Sequence, residues 1–133
     1  MRIMIDTNVL ISSFVLSSPH MLKMVDDISE HHTIVLPTYV VDELKRVTKI
    51  KFKEYYTILE SFLQELPFDL VQSPKKINPL DYPEIRDIKD LPILVSAISE
   101  NVDILISGDA DFVQLNIEHP EILTPREFVK KYC

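Results

Sequence analysis

The chain has one glycine, Gly108, in 133 residues, where about nine would be expected at the average usage of roughly 7%. It has one cysteine, Cys133, so it closes no intrachain disulfide and nothing in the fold depends on an oxidising compartment. Long apolar runs are also missing. None approaches the ~18 residues needed to cross a bilayer, and "VLISSFVL" is preceded by Asp6 and Asn8 and followed by no small-x-small cleavage site. The expectation is a soluble, cytoplasmic chain without a membrane partner. Basic residues are short too: 14 Lys and Arg face 21 Asp and Glu, a net charge of −7, which on average disfavours binding to phosphates.

Within that average lies a local contrast. "KRVTKIKFK" holds Lys45, Arg46, Lys49, Lys51 and Lys53 with no acid among them. Two readings remain open: cations that complement a helix C-terminus, or a strip that meets a polyanion. Hydrophobic residues at 46% and charged residues at 26% are ordinary globular values. With no repeat and no linker, residues 1–133 read as a single domain.

The pattern alternates strands with helices. "RIMI" is a buried strand with Asp6 at its tip, and "NVLISSF" opens a helix. Ser18 and Pro19 resemble a cap and first position for a helix with Leu22, Val25 and Ile28 on its inner face. "TIVLP" is a second strand, after which Thr38 is expected to cap "YVVDELKRV". "FKEYYTILESFLQEL" is amphipathic, "FDLVQ" a weaker strand, "SPKKINPLDYPE" a proline-rich loop and "LPILVSAIS" a helix. "DILIS" and "EILT" are strands, and Thr124, Pro125 and Glu127 form a capping-box pattern. Such alternation indicates an α/β domain around a mostly parallel sheet, whose ligands sit beyond the carboxyl ends of the strands.

That rule gathers four acids. Asp6 follows the first strand and Asp109 follows "DILIS". Glu43 lies in the first two turns of the helix after the second strand, and Asp90 at the start of "LPILVSAIS". Each alone is accounted for as a cap or a solvated face residue; four converging on one crevice are not. Two unit charges about 4 Å apart repel by ~4 kcal/mol at an effective dielectric near 20, so some carboxyls must hold protons or a cation must neutralise them. Oxygen-only ligation suits Mg²⁺ or Mn²⁺. Gly108, beside Asp109 and Asp111, is expected to supply a turn with positive φ, a close approach to whatever the acids bind, or both.

The segments "IMIDTNVLISSF", "LPTYVVDELKRV", "IRDIKDLPILVSAI" and "DILISGDADF" resemble, in order and spacing, those of PIN-domain nucleases, and most of all the branch of toxin components of toxin–antitoxin pairs. The resemblance covers nearly the whole chain, with Ile88 standing where proline is common. It implies a three-layer α/β/α sandwich and Mg²⁺- or Mn²⁺-dependent phosphodiester hydrolysis of RNA, with one ion or two. It also implies a homodimer and an antitoxin that silences the site. The family's acidic quartet falls on Asp6, Glu43, Asp90 and Asp109. Asp111 matches an additional acid, Asp87 is a neighbour, and Thr7 and Asn8 match the polar residues that support the first acid.

No Ser–His or Cys–His pair competes for the chemistry, because His20, His31, His32 and His119 fall in helix or loop stretches away from the strand tips. Two other readings stand beside the nuclease. A haloacid-dehalogenase-type phosphatase also carries an aspartate after its first strand, but needs a second acid two residues later, where this chain has Asn8. A PIN-fold module that holds RNA or protein without cutting would keep the same carboxylates.

Overall fold

The computed structural model describes residues 1–15, 18–115 and 117–133. Its centre is a five-stranded sheet in the order β3-β2-β1-β4-β5, all neighbours parallel. The strands are β1 (Arg2–Ile5), β2 (Thr33–Pro37), β3 (Phe68–Val71), β4 (Ile104–Ile106) and β5 (Glu121–Leu123). A parallel sheet covered on both faces needs near-continuous apolar strands. Accordingly Ile3, Met4, Ile5, Ile34, Val35, Leu36, Ile104, Leu105 and Ile106 are all buried. The edge strands depart from this: Glu121 and Ile122 of β5 are half-buried, and Asp69 and Leu70 of β3 are exposed, which explains the weaker apolar pattern of β3.

The helices are α1 (Thr7–Phe14), α2 (Pro19–His31), α3 (Thr38–Lys51), α4 (Tyr56–Glu65), α5 (Leu91–Ser99), α6 (Ala110–Val113) and α7 (Pro125–Tyr132). With the right-handed crossovers usual for parallel strands, this strand order puts α1 to α4 on one face of the sheet and α5 and α6 on the other. This is the expected three-layer sandwich, with a sheet more uniformly parallel than expected. The chain leaves β1 toward β2 and later returns to β4 on β1's other side, so the strand order reverses between β1 and β4. Such a switch point opens a crevice at the strands' carboxyl ends.

Several local expectations hold. Thr124 accepts from the Glu127 amide while the Glu127 carboxylate accepts from the Thr124 amide, the reciprocal cap read from the sequence. Others need correction. Thr38 does not cap α3: Pro37 holds that position, and Thr38 Oγ1 instead accepts from the Ser73 amide. Ser73 Oγ in turn accepts from the Tyr39 amide, so the pair ties the start of α3 to the chain leaving β3. Ser18 stands at the N-cap of α2 without a side-chain hydrogen bond. Leu22 is 36% exposed, and Met24 joins Val25 and Ile28 in the core in its place. Helix α6 has no periodic signature because four residues are barely one turn.

Gly108 also departs from expectation. Its φ is not positive, and a Cβ built on it would meet no atom within 4 Å. Neither turn geometry nor packing therefore demands glycine. Gly108→Ala is expected to leave the fold intact and to raise stability by about 0.4–1 kcal/mol, because alanine restricts the unfolded chain; urea denaturation measures this.

Candidate metal centre

The register of β1 on β4 pairs Ile5 with Ile106, which sets Asp6 level with Ser107. The Asp6 amide donates to the Ile106 carbonyl (2.9 Å), and the Ser107 hydroxyl donates to Asp6 Oδ2 (2.8 Å). Asp6 Oδ1 accepts from the Thr7 amide at 2.7 Å and so caps α1. Ser107 Oγ also accepts from the Asp109 amide (3.0 Å), and Asp109 Oδ1 from the Asp111 amide (2.8 Å). A chain of hydrogen bonds thus runs across the switch point from Asp6 to Asp111. Asp6 and Asp109 are helix caps and crevice acids at once, so the two readings of the sequence were not alternatives.

Asp90 and Asp87 arrive from the 3-10 turn Ile88–Asp90, where Asp87 Oδ1 accepts from the Lys89 amide (3.0 Å). Glu43 arrives from the second turn of α3. Its Oε2 accepts from the Tyr39 hydroxyl at 3.4 Å and lies 3.9 Å from Arg46 Nη2. The Tyr39 hydroxyl also lies 3.0 Å from the Lys89 carbonyl as its donor, linking α3 to the turn that carries Asp90.

Burial and mutual repulsion show in the proton affinities. Asp6, 5% exposed, has its pKa raised to about 6, chiefly by loss of water and then by the charges of Glu43 and Asp109, against the opposing bonds from Ser107 and Thr7. Asp90 is raised to about 7 by desolvation and by the charges of Asp109, Asp87, Asp6 and Asp111. Desolvation and the Glu43 charge also push Tyr39 above its usual range. All four acids of the expected quartet therefore feel at least one other.

The tightest grouping is not the quartet. One carboxylate oxygen each from Asp87, Asp90 and Asp111 lies within 4.8 Å of the others, whereas both Asp6 oxygens are engaged by hydrogen bonds. Asp111 Oδ1 is buried and accepts no hydrogen bond, and buried Thr7 Oγ1 is likewise unpartnered. Buried oxygen that accepts no hydrogen bond, among repelling carboxylates and with only the exposed Arg86 guanidinium beside it, fits a hard divalent cation.

Asn8 is exposed, as are Lys45, Arg46, Lys49, Lys51 and Lys53. The cations run along α3 into the following turn, Lys49 and Lys51 in the helix's last turn. Two of the histidines stand clearly apart. His31 and His32 line a cavity of about 370 Å³ with Lys23, Asp27, Phe128 and Cys133, beside the start of β2 and therefore at the opposite edge of the sheet.

Sequence reasoning missed Ser107 and Tyr39. Ser107 was detectable only through strand register, but Tyr39 precedes Glu43 by four residues and so shares its helix face. Tyr39→Phe is expected to keep the fold and to weaken Mn²⁺ binding by about tenfold, the low end for a lost supporting hydrogen bond; calorimetric titration reads the change.

A family model described as PIN domain matches residues 2–111. Among solved structures, the chain resembles the crystal structure of VapBC2 from Rickettsia felis bound to a DNA fragment from their promoter. The TM-score is 0.69 at 20% identity, covering 92% of this chain and 97% of that one. At this identity the likeness is one of fold. No curated protein matches by sequence. Among the described residues, no helix is long and apolar enough to cross a membrane.

Proposed function

The chain belongs to the PIN domain family, a family of nucleases, and we propose that it is a Mg²⁺- or Mn²⁺-dependent endoribonuclease acting as the toxin of a toxin–antitoxin pair. The observation that carries this reading is the convergence of carboxylates at the β1/β4 switch point, with Asp6 and Asp90 raised to about 6 and about 7 by burial and by one another's charge. A site built to bring negative charges together against their repulsion needs a cation to function.

In this reading Asp6, Glu43, Asp90 and Asp109 hold one or two ions, with Asp111 as a further ligand. When bound, the metal supplies positive charge at phosphate oxygens and activates water for in-line attack on phosphorus. The remaining work falls to the chain. Ser107 and the Thr7 amide fix the Asp6 carboxylate, Tyr39 holds the Asp90 turn against Glu43, and Asp87 braces that turn through the Lys89 amide. Thr7 supports the first acid through its backbone amide rather than its unpartnered hydroxyl, and Asn8 stands exposed beside it. Lys45, Arg46, Lys49, Lys51 and Lys53 grip the RNA backbone, so binding weakens steeply with salt. Gly108, needed neither for turn nor for packing, leaves open the edge over which substrate passes.

The same reading makes the chain one domain over 1–133, placed in the cytoplasm, homodimeric and silenced by an antitoxin. The VapBC2 likeness supports the toxin–antitoxin setting. The test is cleavage of end-labelled single-stranded RNA and DNA by the purified protein with Mn²⁺, Mg²⁺ or EDTA. RNA cut internally with metal and spared with EDTA is the expected result. Mn²⁺ binding without cleavage of either polymer would favour a non-catalytic PIN module instead.

A further inference from the structure

One cation of the structure already sits among the acids. Arg86 Nε lies 2.9 Å from Asp111 Oδ1, yet that oxygen accepts no hydrogen bond, so the contact is one of charge without directed N–H geometry. The two side chains differ sharply in surroundings: Arg86 is 85% exposed and Asp111 5%. We propose that Arg86 is a tethered counter-ion of the acidic pocket, holding the place of a divalent cation at Asp111 until that cation displaces it.

The inference rests on the metal-dependent reading above and adds a competitor to it. Asp111 shares its cluster with Asp87 and Asp90, and Arg86 precedes Asp87 directly in the chain. Guanidinium does not lose its proton in proteins, so its charge leaves the pocket only by movement of the side chain. Arg86 makes no other ion pair or side-chain hydrogen bond among the described residues, and its exposure means that little packing opposes the movement. A divalent ion bound through Asp111 and the guanidinium repel each other and compete for the same buried oxygen. The outcome is an apoprotein relieved of part of its internal repulsion and a pocket that admits metal only above a set concentration.

Calorimetric titration with Mn²⁺ at low salt tests this on the full chain, comparing the wild type with Arg86→Ala, Arg86→Lys and Lys23→Ala. Removing an exposed charge contact predicts Mn²⁺ binding about fivefold tighter in Arg86→Ala, with Arg86→Lys near the wild type. Lys23, an exposed cation beside the cavity at the opposite edge of the sheet, controls for net charge and should leave the affinity unchanged. The gap between wild type and Arg86→Ala should close in high salt, which screens exposed charges. Equal or weaker binding by Arg86→Ala, or an equal gain in Lys23→Ala, overturns the proposal while leaving the metal site standing. A wild type that takes up no Mn²⁺ removes both.

Discussion

Asp6→Asn is expected to lower metal-dependent RNA cleavage by at least about 100-fold, more than is usual for loss of a supporting group, and to make the metal-free protein more stable above neutral pH. The two effects share one cause. Asp6 is nine-tenths buried and level with Ser107 across the switch point, and its pKa of about 6 records how strongly the fold disfavours its charge. Each unit of such a shift corresponds to about 1.4 kcal/mol, so removing the charge is worth roughly 1–3 kcal/mol. An amide of the same shape still accepts from the Thr7 amide and can donate to Ser107 Oγ, so the cap of α1 survives. Denaturation in EDTA and a cleavage time course with Mn²⁺, run on one preparation, read both effects. A variant that cuts RNA at the wild-type rate would remove Asp6 from the machinery.

The second large effect is in how stability depends on pH and metal. Asp6 and Asp90 keep their protons up to about 6 and about 7 in the folded chain, whereas unfolded aspartates release theirs near 3.9. Between those limits the native state binds more protons than the unfolded one, so stability falls as pH rises through the window. The favourable contribution is complete below about pH 4 and gone once pH passes about 7. His32 is lowered, chiefly by burial, and works in the opposite sense, but it is a partly exposed side chain at the other edge of the sheet and does not reverse the trend. Metal restores what the charges remove. At a hundred times its dissociation constant an ion that binds only the folded state adds about 2.7 kcal/mol, roughly 10 °C for a domain of this size. Melting curves with and without Mn²⁺ should diverge above neutral pH and converge in acid, where the carboxyls are protonated and the ion has no ligands. Curves that stay parallel from acid to alkaline pH would contradict a carboxylate metal site.

Much of this was legible in the linear chain because the signals are local. Short apolar runs with an acid just beyond their C-terminal ends, Asp6 and Asp109, marked β1 and β4, and the Thr124–Glu127 box marked α7. The acids at strand tips followed from the rule for parallel sheets. The failures have a common origin in contacts distant along the chain. Thr38 looked like a cap, but Ser73 took its hydroxyl; Leu22 had the right spacing, but the surface it faced left it open. Gly108 looked like a turn residue, yet its backbone lies where any residue is comfortable.

What the sequence by itself determined is therefore the inventory: alternating elements, a parallel sheet, and acids placed where strands end, all set by periodicity and capping over a few residues. Only the tertiary structure decided which acids meet. The pairing of β1 with β4 brings Asp6 to Ser107 across a hundred residues of chain, and the turn at Asp90 is held to α3 by Tyr39. It is also what draws Asp87, Asp90 and Asp111 into the closest group, with Arg86 beside them. The physical reason is that proton affinity and metal affinity depend on distance and on exclusion of water, and both arise only when strand register and helix packing bring separate segments together.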